Sequence, residues 1–387
     1  MNPTVGDWLL SYYKHFNNEV DNTSFVLDEN NLYQELIKSP LVFGVAYIEQ
    51  NYVHPDFDKW NFRSQFKIVF SYWLFKIASY QIRISNNQQS PIDYCLENLQ
   101  LKNISDLETW IEQICKVPNK RFITHANDTH VWAFLWLLDW YYRPVQKLDK
   151  TEIQNKIIQS MILAALSNND VSTVEHKLIE RYIEHSSIEK DRQQVLNKYL
   201  TEKIIFDKPN YQNEPYIIRK IAYDLSLLAL MTDYEIEESE LTYINQLADQ
   251  LNIDLKAQYA TFSIIQHLHL NCSHQLPYMQ KTYSLNAIKH TVSYNFKYIV
   301  KKNASMIVNE IKESKELLSL LRKSVDENLS EEERKKLKAQ AVDLLKTIPS
   351  LAIFMIPGGS ILLPIILKIL PPDLLYPSSF LNDKDKD

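Results

Sequence analysis

Apolar side chains recur at threes and fours along most of the chain, most regularly in Trp60–Ile84, where Phe62, Phe66, Val69, Phe70, Trp73, Leu74, Ile77 and Tyr80 share helical spacing. This spacing predicts a buried helix. A second aromatic helix is expected from about Asp128 to Tyr142, with Trp132, Phe134, Leu135, Trp136, Leu138, Asp139 and Trp140 around its circumference and Pro144 ending it. Rings on every side of a helix indicate a packing core rather than a cofactor box. From about Tyr278 the pattern predicts a long amphipathic helix with Ile288, Val292, Phe296, Ile299, Ile307, Ile311, Leu317, Leu318 and Leu321 on one face. Asp326-Glu327-Asn328 breaks it, and Ser330 with Glu333 has the spacing of a capping box that starts another helix.

The middle of the chain repeats itself. Residues 162–175 (ILAALSNNDVSTVE) align without gaps to residues 227–240 (LLALMTDYEIEESE). Each copy reads as an apolar helix, a short acidic turn and a new helix. Ser172 and Glu175 form a capping box in the first copy, whereas Glu237 and Glu240 keep the spacing without the hydroxyl. The second helices carry Leu178, Ile179, Tyr182 and Ile183, and Ile244, Leu247, Ala248 and Leu251, as core faces. Across about residues 150–275 this pattern resembles a duplicated TerB-like helical module. That family's turn usually reads Ala-Asp-Gly-Glu and can gather carboxylates for a cation. Here the turns are Ser167-Asn168-Asn169-Asp170 and Thr232-Asp233-Tyr234-Glu235, so Asp170, Asp233 and Glu235 are expected to cap and solvate rather than ligate.

Composition narrows the function classes. With only Gly6, Gly44, Gly358 and Gly359, no glycine-rich phosphate loop can be built, and few tight hairpins can form. The expected fold class is all-α. Cys95, Cys115 and Cys272 are odd in number and widely spaced, as a reducing compartment permits. Met1–Lys14 lacks the basic start and apolar run of a secretory signal, so the body is expected to be cytoplasmic. A net charge of −6 without a long basic block gives no basis for direct, sequence-specific nucleic-acid binding. His125, Asp128 and His130, and separately His267, His269, Cys272 and His274, admit either metal ligation or ordinary cap and loop roles; the second is the expected one. No nucleophile elbow, H-E-x-x-H or cysteine motif occurs, and no catalytic residue, cofactor or metal site is expected.

Residues 348–367 run about twenty positions without a charge, near the length a helix needs to cross a bilayer core. Arg334, Lys335, Lys336, Lys338 and Lys346 precede this stretch, so the positive-inside bias leaves the body in the cytoplasm. Pro349, Pro357, Gly358, Gly359, Ser360 and Pro364 mark the segment. They fit a spanning or re-entrant element whose freed carbonyls are met by neighbours or by a homo-oligomer, which is the expected reading; the alternative is a sharply turned hairpin buried in a water-soluble fold.

Over about residues 290–382 the chain resembles the membrane region of LETM-type (leucine-zipper/EF-hand transmembrane) proteins, as in a bacterial biofilm-associated group. The resemblance rests on the ordered series Ser330, Glu333, Arg334, Pro349, Pro357, Pro364, Lys368, Pro371, Pro377 and Phe380. It implies a membrane anchor, a ribosome or protein partner, and a link to ion homeostasis through potassium or calcium exchange for protons. Ser360 stands where the related proteins usually carry an acid, which removes the natural intramembrane proton carrier, and no calcium-binding loop is present.

The expectation is therefore a multi-domain helical body (1–147 aromatic-rich, 150–275 duplicated, 276–387 LETM-like) with a Pro-containing segment at about 348–370. Its expected role is a non-enzymatic, membrane-anchored scaffold. The alternative is a component of a cation/proton exchange system, in which Pro349, Pro357 and Pro364 break helices to expose carbonyls.

Overall fold

The computed structural model describes residues 6–20, 28–39, 41–46, 57–115, 129–232, 237–254 and 304–326, together with parts of 257–268 and 330–340. All regular structure among the described residues is helical, with no strand. The chain divides into two compact units, residues 1–253 with 267–282, and residues 254–266 with 283–387.

In the first unit, the aromatic periodicity places helix α3 (Phe62–Ile84) at the centre of the N-terminal third, against α1 (Trp8–Val20), α4 (Pro91–Asn98), α5 (Ile104–Ile114) and α6 (Ala133–Tyr142). α3 has apolar residues on several faces because several helices surround it; Phe66, Val69, Phe70, Trp73, Leu74 and Ile77 are all buried. Burial of each large apolar side chain contributes about 1.5–3 kcal/mol. Short polar residues start the helices. Asn61, Ser90 and Asn103 accept the N–H of the third helical residue of α3, α4 and α5, and Pro91 fixes the first turn of α4. The second aromatic helix differs from its expected extent, since residues 129–132 form a 3-10 turn and the α-helix begins at Ala133. α2 (Glu29–Lys38) completes this part.

The duplication appears as two helix pairs. α7 (Lys150–Ala165) leads into α8 (Thr173–Glu184), with α9 (Lys190–Thr201) following, and α10 (Tyr216–Leu230) leads into α11 (Glu238–Gln250). α7 and α10 pack against each other. α8 touches both α7 and α10, and α11 likewise touches both α10 and α7, so the second helix of each copy also supports the first helix of the other. The eight second-helix residues named from periodicity are all buried, and Ile179, Tyr182 and Ile183 match Ile244, Leu247 and Ala248 in position. Both capping boxes form through the N3 glutamate: Ser172 N–H donates to Glu175 at 2.8 Å and Glu237 N–H to Glu240 at 2.8 Å. Glu240 also accepts Nδ2 of Asn168 at 2.8 Å, which ties the two copies together.

A turn without glycine needs a substitute. Asn169 adopts φ of +62° in the first acidic turn. Asparagine is among the few residues that visit this region readily. The same device closes other helices. Asn86, Gln100, Lys203 and Asn252 have positive φ, and the following N–H groups of Asn87, Leu101, Ile204 and Ile253 reach back to the carbonyls of Ile82, Leu96, Tyr199 and Ala248 at 2.8–3.0 Å. These are Schellman caps built without glycine.

The aromatic third and the duplicated pairs are stitched together inside the unit. Trp132 Nε1 donates to the Tyr182 carbonyl at 3.0 Å, and buried Asp139 accepts from Lys150 Nζ at 3.1 Å and from the Leu148 N–H at 3.3 Å. Glu29 accepts the Ile217 N–H at 2.8 Å, covering an orphan donor at the start of α10. Deeper in, Lys220 and Asp224 pair on α10 and both bond to the Tyr33 hydroxyl of α2.

In the second unit, α12 (Ala304–Glu313) packs on α13 (Lys315–Asp326). The long helix expected from Tyr278 is thus not continuous over its described part. Ser314 interrupts it, its hydroxyl accepting the Leu317 N–H at 3.4 Å and its carbonyl the Leu318 N–H at 3.0 Å, which makes it the cap of a new helix. Residues 278–303 and the apolar segment 348–370 lie outside the described residues. No described helix is long and apolar enough to cross a membrane.

Candidate functional site

The predicted break at Asp326-Glu327-Asn328 and the cap at Ser330 lead into helical residues 331–333, 335–337 and 339–340. Ser330 N–H donates to Glu333 Oε2 at 2.9 Å and Glu333 N–H to Ser330 Oγ at 3.2 Å, so the expected capping box is formed.

Two polar bridges fix how this stretch lies on α13. Lys323 Nζ is 2.7 Å from Glu333 Oε1, and Gln340 Nε2 donates to Glu316 at 2.6 Å. Moving seven residues back on α13 matches moving seven forward on the partner, so the two segments run antiparallel over about two helical turns. Leu317, Leu321 and Leu337 are buried. The Lys323 ammonium and the Ser330 N–H hold the Glu333 carboxyl down at about 2. Lys335 and Lys336 are exposed, with no bonding partner among the described residues. The hairpin therefore presents a charged helical face over an apolar seam.

Of the residues singled out by the sequence, the structure brings Ser330 and Glu333 together. Arg334, Pro349, Pro357, Gly358, Gly359, Ser360, Pro364, Lys368, Pro371, Pro377 and Phe380 lie outside the described residues. Sequence reading missed Lys323, Glu316 and Gln340. Their only signal was the complementary polarity of two helical faces on either side of a break, which cannot be paired until the turn is fixed.

The metal candidates are dispersed. His130 is buried between the Phe62 and Phe66 rings, at 5.7 and 5.3 Å, with Arg181 3.4 Å from its Nε2. Asp170 is exposed and lies 3.4 Å from Lys203. His125, Asp128, Asp233, Glu235 and the His267–His274 group fall outside the described residues, and no cluster of three or more potential ligands occurs among those described.

No curated protein and no solved structure matches the chain. Residues 329–387, which begin at the turn of this hairpin, match the family model described as LETM1-like, RBD.

Proposed function

We propose that the chain is a LETM-like, non-enzymatic scaffold whose C-terminal stretch binds a ribosome or another protein. The observation that carries this reading is the match of residues 329–387 to the LETM1-like RBD, or ribosome-binding domain, family. The ordered hairpin at its start supports it, because a capped helix pinned to α13 by Lys323–Glu333 and Glu316–Gln340 presents Lys335 and Lys336 on a preset surface. Preset groups lose less conformational entropy on binding.

In the same reading the segment at about 348–370, without a charge over 348–367, tethers the protein to the bacterial inner membrane, and the body, a duplicated TerB-like module behind an aromatic-rich N-terminal part, faces the cytoplasm. Any effect on biofilm or ion balance is then indirect.

Two experiments test it. Full-length protein solubilised in detergent is sedimented with purified ribosomes, and in parallel used for affinity capture; binding that disappears on deletion of residues 329–387 is expected. Binding that survives the deletion refutes the assignment. For the tether, recovery of full-length protein in the high-speed supernatant of detergent-free lysate removes the membrane from the account.

A further inference from the structure

A cleft of about 780 Å³ opens in the first unit between α6, the start of α7 and the α8–α9 turn. This is within the size range of small-molecule sites. Its floor is apolar: Trp132, Leu135 and Leu148 are buried and Trp136 half-buried.

The polar groups above that floor are committed on one side only. The backbone N–H and the hydroxyl of Ser187 both donate to Gln154 Oε1, at 2.8 and 2.7 Å. A backbone N–H can only donate, so the amide orientation is fixed, with its oxygen toward Ser187 and its Nε2 turned away. Gln154 lines the cleft and is 5% exposed, yet among the described residues its Nε2 donates to no acceptor. That donor is left open to whatever enters the cleft.

Two more donors stand beside it. At the first turn of α7, Lys150 N–H goes to Leu148 O, Glu152 N–H to the Asp149 side chain and Ile153 N–H to Asp149 O. Among the described residues the Thr151 N–H has no acceptor, which makes it one of the orphan donors of a helix N-terminus. Lys147, on the rim, is exposed and has no partner among the described residues. Lys150, by contrast, is held by Asp139 and by the Trp136 ring at 4.4 Å.

We propose that this cleft binds the carboxylate of a molecule with an apolar body, the oxygens taking Gln154 Nε2, the Thr151 N–H and Lys147, and the body lying on the Trp132–Leu135 floor. Gln154 Nε2, the Thr151 N–H and Lys147 are all donors, which calls for an acceptor ligand. The Asp149 carboxylate on the same rim favours a monoanion over a doubly charged phosphate. A free organic acid and the C-terminus of a peptide present the same chemistry. The site lies in the first unit, so its failure would leave the reading of residues 329–387 untouched.

Isothermal titration of the full-length protein with 3-phenylpropionate, with N-acetyl-Phe-Leu bearing a free carboxylate, and with its C-terminal amide tests the proposal. The acids are expected to bind at least roughly tenfold tighter than the amide, the factor a lost charge-assisted hydrogen bond gives. Gln154→Glu keeps an oxygen for Ser187 but replaces the donor with an anion, and should weaken acid binding by a similar factor. Lys147→Met, at an exposed position that does not test folding, should weaken it several-fold and flatten its salt dependence. Binding of phenylpropionate alone assigns a free acid, and binding of the peptide acid alone assigns a chain terminus; both support the carboxylate site. Equal binding of acid and amide, unchanged acid affinity in Lys147→Met, or no binding of any probe overturns it.

Discussion

Lys220 and Asp224, one turn apart on α10, form an ion pair with both side chains fully buried, and Tyr33 of α2 bonds to each of them. Rings of Tyr33 and Tyr223 lie 4.9 and 5.4 Å from the ammonium. Such a pair fixes how α2 meets α10 more than it adds stability, because desolvating two charges offsets most of their attraction.

Removing one partner exposes that balance. Lys220→Met, leaving Asp224 buried without its cation, should cost about 3–5 kcal/mol, read as a lower urea midpoint, and adding Asp224→Leu should restore most of it. A single substitution costing less than about 1 kcal/mol would mean that water or another group already compensates the site.

The glycine-free helix ends make a second prediction. Gln100 is exposed and holds φ of +56° at the end of α4. Gln100→Gly should stabilise the protein by up to about 1 kcal/mol, since relief of the left-handed strain outweighs the added chain freedom. Thermal denaturation checks it, and a lower melting temperature would count against the strained cap.

Glu333 provides a titration. Its carboxyl titrates at about 2 in the fold against 4.5 ordinarily. The interaction is therefore complete above the ordinary value and is lost as pH falls through about 2. Carbon-detected NMR of the Glu333 carboxyl should show that midpoint, and Lys323→Gln should move it back toward the ordinary range. An unchanged midpoint in the variant would remove Lys323 from the hairpin.

Burial pushes the Cys95 and Cys115 thiols far above their usual range. Both should stay unreactive toward a disulfide reagent at pH 8 in a Cys272→Ser background and react fully on denaturation. Fast labelling of the native protein would show that these helices open.

Much of this architecture was legible in the sequence wherever the signal was local. The periodicity of Phe66 to Ile77 gave α3, and the Ser172–Glu175, Glu237–Glu240 and Ser330–Glu333 spacings gave three helix starts. Three features were hidden for physical reasons. Ser314 lies in a pattern that continues on both sides of it, so only its hydrogen bonds reveal the break. Asn169 shows its role through a backbone angle, not its chemistry. Tyr33, Asn168 and Gln340 act on residues far along the chain or across a turn, which spacing cannot register. At the candidate site the family resemblance supplied the residues, and the structure supplied Lys323 and Glu316 as the groups that orient them.

The proposed role rests on residues 329–387 being the surface that meets the partner. A photo-crosslinking side chain at position 336, on the exposed face of the hairpin, compared with one at exposed position 202 on the body, tests this most directly in full-length protein mixed with ribosomes. Crosslinks to ribosomal components from 336 and none from 202 are predicted. Crosslinks from 202 alone, or none from either site with ribosomes in excess, would contradict it.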